Sequence, residues 1–237
     1  MTFDQSDWDI RCEWGLPGVR SLAPGSDIAV IVDVLSFSTA VDIAVAGGAS
    51  ILPYRWKDAS AEAYAASKSA VLAGTRTCDA GYSLSPASLE SILPGEALVL
   101  PSPNGSTLSM ESGALTRTCC ACLRNARAVA ARIQLTAMRI AVIPAGEQWE
   151  DGSLRPCVED LIGAGAVIAE LRGTLSPEAE LALAVFEKFR LSLHDAIRCC
   201  GSGRELAERG FPRDIELAAD LNVSDCVPLF REDRYQR

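Results

Sequence analysis

The sequence predicts an α/β protein of three layers, α/β/α, around a mostly parallel central sheet. Two observations predict it. Short unbroken apolar runs, among them Ile28-Ala29-Val30-Ile31-Val32, Ala97-Leu98-Val99-Leu100 and Ile140-Ala141-Val142-Ile143, have the composition of strands buried on both faces. Each runs into a polar turn and then into a segment of helical composition, the order that builds βαβ units and gathers strand-end loops on one edge of a sheet. No repeat, low-complexity run or linker interrupts the 237 residues, so a single domain over residues 1–237 is expected.

Composition excludes several classes. With 49% apolar residues the chain can bury a sizeable core without disulfide or metal staples. A net charge of −9 and the lack of any basic stripe argue against nucleic acid as a partner. No apolar run approaches the roughly 20 residues of a membrane span. The acidic start, Met1 to Asp9, is no signal peptide, so a cytoplasmic location is expected. The nine cysteines then read as reduced thiols. Cys119 and Cys122 have C-x-x-C spacing but read as small apolar residues of a strand at 119–123. The lone histidine, His194, has a helical, surface-like context, which leaves little basis for a His-rich metal centre or a Ser-His-Asp triad.

Residues 1–26 read as an edge strand and a turn at Gly15-Leu16-Pro17-Gly18. The strand at 28–32 ends in Asp33, because a strand buried on both faces has no room for a charge until it ends. Ser36, Ser38 and Thr39 follow, beside the start of a helix at 40–46 that Gly47-Gly48 stops. Hydroxyls next to the free N–H groups of a helix start form an anion pocket. A carboxylate repels a phosphate, so the pairing makes most sense with a cation such as Mg²⁺ between them, or with Asp33 attacking phosphorus. The competing reading has Asp33 only capping the helix and the hydroxyls only serving backbone groups.

Residues 50–52 form the next strand, ended by Pro53. Residues 56–72 read as an alanine-rich helix, 73–82 as a glycine-punctuated loop, and 87–92 as a short helix opened by Ser85-Pro86. The strand at 97–100 enters Ser102-Pro103-Asn104-Gly105-Ser106-Thr107. Its Asn-Gly pair predicts a positive-φ turn, with an anion-binding nest of N–H groups at Gly105, Ser106 and Thr107. Asn125 reads as the N-cap of a helix at 126–133. After the strand at 139–143, a helix at 157–171 carries Glu159 and Asp160 in its first turn, either as dipole caps or, like Asp33, as site carboxylates beside a strand-end loop. Gly163-Ala164-Gly165-Ala166 gives that helix a small face for close packing. Ser176-Pro177 opens a helix to 189, and Ser202 with Glu205 forms a capping box for a helix ending near Gly210. A last strand is expected at 227–230.

Taken in order, several segments resemble the magnesium-dependent 2-phosphosulfolactate phosphatases of the ComB type. They are Val32-Asp33-Val34-Leu35-Ser36-Phe37-Ser38-Thr39, Ala73-Gly74-Thr75-Arg76, Leu84-Ser85-Pro86, 102–107, Asn125, Pro144-Ala145-Gly146, Glu159-Asp160 and the tail at 216–220. The resemblance implies hydrolysis of 2-phospho-3-sulfolactate to sulfolactate and phosphate, a place in coenzyme M biosynthesis, a small phosphorylated acid as substrate and Mg²⁺ as cofactor; it leaves a homodimer open. On this basis Asp33, Glu159 and Asp160 would hold Mg²⁺, and Asp33, Arg76 and Asn104 would act in catalysis. Ser36, Ser38, Thr39, Gly105, Ser106, Thr107 and Asn125 would bind substrate, with Arg76 gripping a phosphate, sulfonate or carboxylate through its fork of donors. The chain departs from the family pattern at Ser36, Thr75 and Leu84, where the family usually has Arg, Glu and Asn. These departures bear on substrate identity more than on fold. The alternative from a different class is a catalytically silent binding protein that keeps the pocket for a phosphorylated or sulfonated acid. A haloacid-dehalogenase-type phosphatase would need a second aspartate at position 35, which is Leu35.

Overall fold

The computed structural model describes residues 3–56, 58–76 and 81–237. In chain order the elements are β1 (Ile10–Cys12), α1 (Gly15–Leu22), β2 (Ile28–Val32), α2 (Phe37–Ala46), β3 (Ser50–Tyr54), α3 (Ala59–Ser67), β4 (Val71–Leu72), β5 (Ala97–Pro101), α4 (Gly105–Gly113), β6 (Arg117–Ala121), α5 (Ala126–Ile133), β7 (Ile140–Pro144), β8 (Glu147–Gln148), β9 (Leu154–Arg155), α6 (Val158–Ile168), α7 (Pro177–Phe189), α8 (Leu193–Cys199), α9 (Gly201–Glu208), α10 (Pro212–Ala219), β10 (Leu229–Arg231) and β11 (Arg234–Gln236).

Among the described residues nine strands form one sheet in the order β1-β7-β2-β6-β10-β11-β3-β5-β4. β2 lies at the heart of a parallel block, paired with β6 on one side and β7 on the other, which is why all five of its residues are apolar and buried. β3, β5 and β4 form a second parallel block. The C-terminal hairpin joins the two through antiparallel pairings with β6 and β3. Helices cover both faces. Val30, Val32, Cys119 and Val142 share a core with residues of α5, α6 and α7, while Ala29, Ile31, Ala141 and Ile143 pack with residues of α1 and α4. This is the expected three-layer α/β/α architecture. Among the described residues no helix is long and apolar enough to cross a membrane.

Several elements differ from the sequence reading, each for a tertiary reason. The turn at Gly15 is the start of α1, whose Val19 and Leu22 are buried against β2 and β7. Pro53 lies inside β3 instead of ending it. The Ser50 N–H donates to Glu96 on the β5 side, so by alternation position 53 points its nitrogen toward β11, where pairing stops at Ile51, and no ladder bond is lost. The helix read over 56–72 ends at Ser67. Ser69 takes a φ of 50°, and Val71-Leu72 complete the edge of β5. The helix at 87–92 is a 3-10 turn, Pro86–Leu89. Thr77 to Ala80, part of the glycine-punctuated loop, lie outside the described residues. The cap of α9 is Cys200, whose sulfur accepts from the Gly203 N–H, and not Ser202, whose hydroxyl accepts from Arg155 at 3.0 Å. β11 has no apolar run to announce it. Its Tyr235 is fully buried and donates to Ser109 at 2.7 Å, and Glu232 and Asp233, both at positive φ, make the tight turn before it.

The small face of α6 does what its composition predicts. A Cβ on Gly165 would run into the Ala182 carbonyl and come within 2.7 Å of Phe186 Cβ, so the residue lets α6 and α7 approach closely. Gly165→Ala is therefore expected to destabilise the fold by about 1–3 kcal/mol, read as a lowered urea midpoint with an unchanged m-value. An unchanged midpoint would mean the two helices are free to separate.

Candidate active site

Asp33 stands at the carboxyl end of β2, 7% exposed, and its carboxylate lies between two helix starts. Oδ1 accepts from the Phe37 N–H at the head of α2 at 3.2 Å, and Oδ2 accepts from the Gly105 N–H at the head of α4 at 3.1 Å. Those donors favour the charged form. Burial opposes them and is the largest influence, followed by the negative charge of Glu147, so the Asp33 carboxyl is pushed up to about 7. The sheet is mixed, so the loop after β5 does not reach Asp33 by the simple edge rule; the Gly105 bond is a tertiary contact across 72 residues. Gly105 is also not a positive-φ turn residue but the first residue of α4. Glycine is required there because a Cβ would strike the Phe37 ring and come within 2.8 Å of Asp33 Oδ2.

The hydroxyls divide. Ser38 accepts from the Asp33 N–H at 2.8 Å and from the Cys120 thiol at 3.1 Å, and donates to the Ile31 carbonyl. Thr39 donates to Val34 O at 2.8 Å and Ser106 to Leu100 O at 3.0 Å. All three side chains are buried and engaged in shaping the ends of β2 and β5, while the Ser106 backbone N–H stays at the head of α4. Asn125 is likewise buried, accepting from the Cys122 N–H and donating to the Cys226 carbonyl, so it ties the end of β6 to the tail. It heads α5 as expected but makes no side-chain cap bond. Thr107 is half-buried, and Ser36 and Asn104 are held by site residues: Ser36 accepts from Arg76 Nη2 at 2.8 Å, and Asn104 donates to Glu147 at 3.1 Å.

Arg76 is anchored by Asp214 of α10, with Nη1 to Oδ2 at 2.5 Å, and its guanidinium lies 5.6 Å from the centre of the Phe211 ring. The other Asp214 oxygen accepts from the Ser85 hydroxyl and the Ala87 N–H. One buried carboxylate thus fixes both the arginine and the segment at 85–87. Five donors on a guanidinium leave Arg76 some free for an anion after Asp214 and Ser36 are satisfied. A cavity of about 700 Å³ opens beside it, lined among others by Leu35, Leu84, Glu147 and Leu206.

Asp160 accepts from the Val34 N–H at 2.7 Å and the Gly146 N–H at 2.8 Å, binding the loops after β2 and β7 to the first turn of α6. Burial, then Asp33 and Glu159, push its carboxyl up. Glu159 is 3% exposed. Among the described residues no three acidic, cysteine or histidine side chains stand close enough together to hold a metal ion. The chemistry of the neighbouring donors is nevertheless that which suits a hard divalent cation. Asp33, Glu147, Glu159 and Asp160 offer only oxygen, and their charges act on one another in a buried space that a cation would neutralise. Asp160 is the least available of the four, since both of its oxygens make short bonds to backbone.

Two site residues escaped the sequence reading. Glu147 follows β7 as Asp33 follows β2, and the same strand-end signal could have found it. Asp214 sits behind Pro212 in the first turn of a helix, where an acid reads as an ordinary dipole cap, and nothing local distinguishes it. His194 is exposed and 3.6 Å from Asp220, outside the site. The eight described cysteines are free thiols, and burial pushes Cys119 and Cys122 up to about 12, as packing residues require.

Residues 20–233 match the family model for 2-phosphosulpholactate phosphatase. The chain is 28% identical over 217 residues to a 2-phosphosulfolactate phosphatase of Methanothermobacter thermautotrophicus, covering 90% of each protein. It is 31% identical over 220 residues to a probable 2-phosphosulfolactate phosphatase of Carboxydothermus hydrogenoformans, covering 88% of this chain and 89% of the other. A protein of Pseudothermotoga lettingae with that same description is 26% identical over 214 residues.

Proposed function

The chain belongs to the 2-phosphosulpholactate phosphatase family, and we propose that it is a Mg²⁺-dependent phosphoric monoester hydrolase, acting on 2-phospho-3-sulfolactate or a related small phosphorylated hydroxy acid in the cytoplasm. The observation that carries this reading is the Asp33 carboxylate, buried between two helix starts and within reach of the charges of Glu147 and Arg76. In the reaction water adds to phosphorus, the phosphorus–ester oxygen bond breaks, and the departing alkoxide takes a proton to become the free hydroxy acid.

Asp33, Glu159 and Glu147 would hold Mg²⁺, with Asp160 keeping the two loops in place. When bound, the ion supplies neutralising charge to the phosphoryl oxygens. Arg76 grips an oxyanion of the substrate with the donors left by Asp214 and Ser36. The first-turn N–H groups of Ser106 and Thr107 lack intrahelical partners and offer the positive end of α4 to the same anion. Asn104 orients Glu147 through their hydrogen bond.

The test is phosphate release from 2-phospho-3-sulfolactate and small phosphorylated hydroxy acids, with Mg²⁺ and with chelator. Turnover that chelator abolishes and Mg²⁺ restores supports the reading; none from any ester overturns it. Arg76→Lys keeps a charge for Asp214 but loses the planar fork, so kcat/KM is expected to fall roughly 10–100-fold in a folded protein, the equivalent of one charge-assisted hydrogen bond. An unchanged kcat/KM would remove Arg76 from the anion site. One observation favours the silent binding reading: backbone groups engage the hydroxyls of Ser38, Thr39 and Ser106. That reading predicts ligand binding with no phosphate release.

A further inference from the structure

The cavity beside Arg76 is larger than a three-carbon, multiply anionic acid requires, and one of its walls is apolar. At about 700 Å³ it lies within the roughly 300–1,000 Å³ range of sites that bury drug-sized ligands. Leu35 stands two residues from Asp33, and Leu72, Leu84, Pro101 and Leu206 continue an apolar wall drawn from β4, the segment before the 3-10 turn, β5 and α9. Each wall leucine also packs on the protein's cores, Leu35 and Leu206 on one and Leu84 and Leu72 on two others, so the wall is fixed by the fold.

Positive charge is scarce by comparison. Among the described lining residues the cations are Arg76 and Arg209, and each is already ion-paired, with Asp214 and Glu205. Asp58, Glu62, Glu147 and Glu205 line the same space. A phosphate beside Arg76 can be accommodated, but among the described lining residues a second strong anion further out would meet leucines and carboxylates. It would lose its hydration there without gaining a partner.

We infer that this site takes the phosphate ester of a 2-hydroxy acid whose substituent is apolar and larger than a sulfonated methyl group. The wall from Leu35 to Leu206 is then the specificity determinant. The inference rests on the phosphatase reading for its chemistry and on the wall for its selectivity.

The experiment compares kcat/KM, at fixed Mg²⁺, for the O-phospho esters of lactate, 3-sulfolactate, 2-hydroxy-4-methylpentanoate and 3-phenyllactate. The two apolar esters are expected to exceed the sulfonated one at least tenfold, since each buried methylene contributes about fourfold. Preference for the sulfonated ester overturns the inference. If no ester is hydrolysed, the phosphatase reading fails and titration calorimetry with the non-hydrolysable phosphonates of the same acids decides. Tighter binding of the phenyl phosphonate, with a negative heat-capacity change, sustains the inference, and equal or weaker binding overturns it. In Leu84→Asn the phenyl-to-lactate ratio is expected to fall about tenfold. Should that protein not fold, Leu72→Thr on the edge strand serves instead. A ratio unchanged in a folded variant removes the wall from substrate selection.

Discussion

Asp33→Asn is expected to abolish Mg²⁺-dependent phosphate release, with a loss of at least about a thousandfold, while the protein stays folded. The side chain keeps its shape but loses its charge, so it no longer serves as a cation ligand. One of the two helix-start N–H groups, Phe37 or Gly105, would face an amide N–H₂ in place of an acceptor. The folded carboxyl sits near 7, above its unfolded value of 3.8, so the native state binds the proton more tightly. Ionisation between about pH 4 and pH 7 therefore costs the native state stability. Asparagine cannot ionise. The stability of the variant relative to the natural chain should rise with pH across that window and level off above it, in urea titrations at a series of pH values. A folded variant with full activity would remove Asp33 from the chemistry; a stability difference independent of pH would mean Asp33 is ionised throughout.

Gly105→Ala is expected to damage activity more than stability. The added methyl group would collide with the Phe37 ring and press on Asp33 Oδ2, in a core where overpacking costs about 1–3 kcal/mol. For a chain of this length that is a drop in Tm of a few degrees up to about 12 °C. The relief available is a shift of the Asp33 carboxylate away from the head of α4, and a misplacement of about 1 Å at a reacting group is worth about a hundredfold in rate. Kinetics and thermal unfolding on the same preparation check both. Wild-type kcat with a lowered Tm would show that Asp33 need not be held against α4.

How far the site could be read from the residues depends on the range of the forces that build it. Asp33 and its place at a strand end follow from local chemistry, because a charge cannot continue a strand buried on both faces. Ser38 and Thr39 were legible as helix-start hydroxyls, yet whether such a hydroxyl faces a ligand or its own backbone depends on a rotamer that the chain does not display. Thr39 to Val34 and Ser38 to Asp33 are contacts over five residues that close the turn itself. Asp214 was invisible because its partners, Arg76 and Ser85, lie 138 and 129 residues away.

The sequence by itself determined the layered α/β class, the buried strand β2 with Asp33 at its end, the helix starts at Asn125 and Ser176, the close-packing face of α6 and the family resemblance. These rest on hydrophobic period, on breaker residues and on motifs, all of which act within a few residues. Only the tertiary structure decided that the sheet is mixed, that the C-terminal hairpin joins its two blocks, and that Arg76 is held by Asp214. It alone placed Gly105 against Asp33 and Glu147 within reach of its charge. Those features arise where distant segments compete for the same buried space. Edge pairing turns Val71-Leu72 into a strand, burial makes Tyr235 a core residue, and the shared interior lets Glu147 and Asp160 act on a carboxylate to which neither is adjacent in the chain.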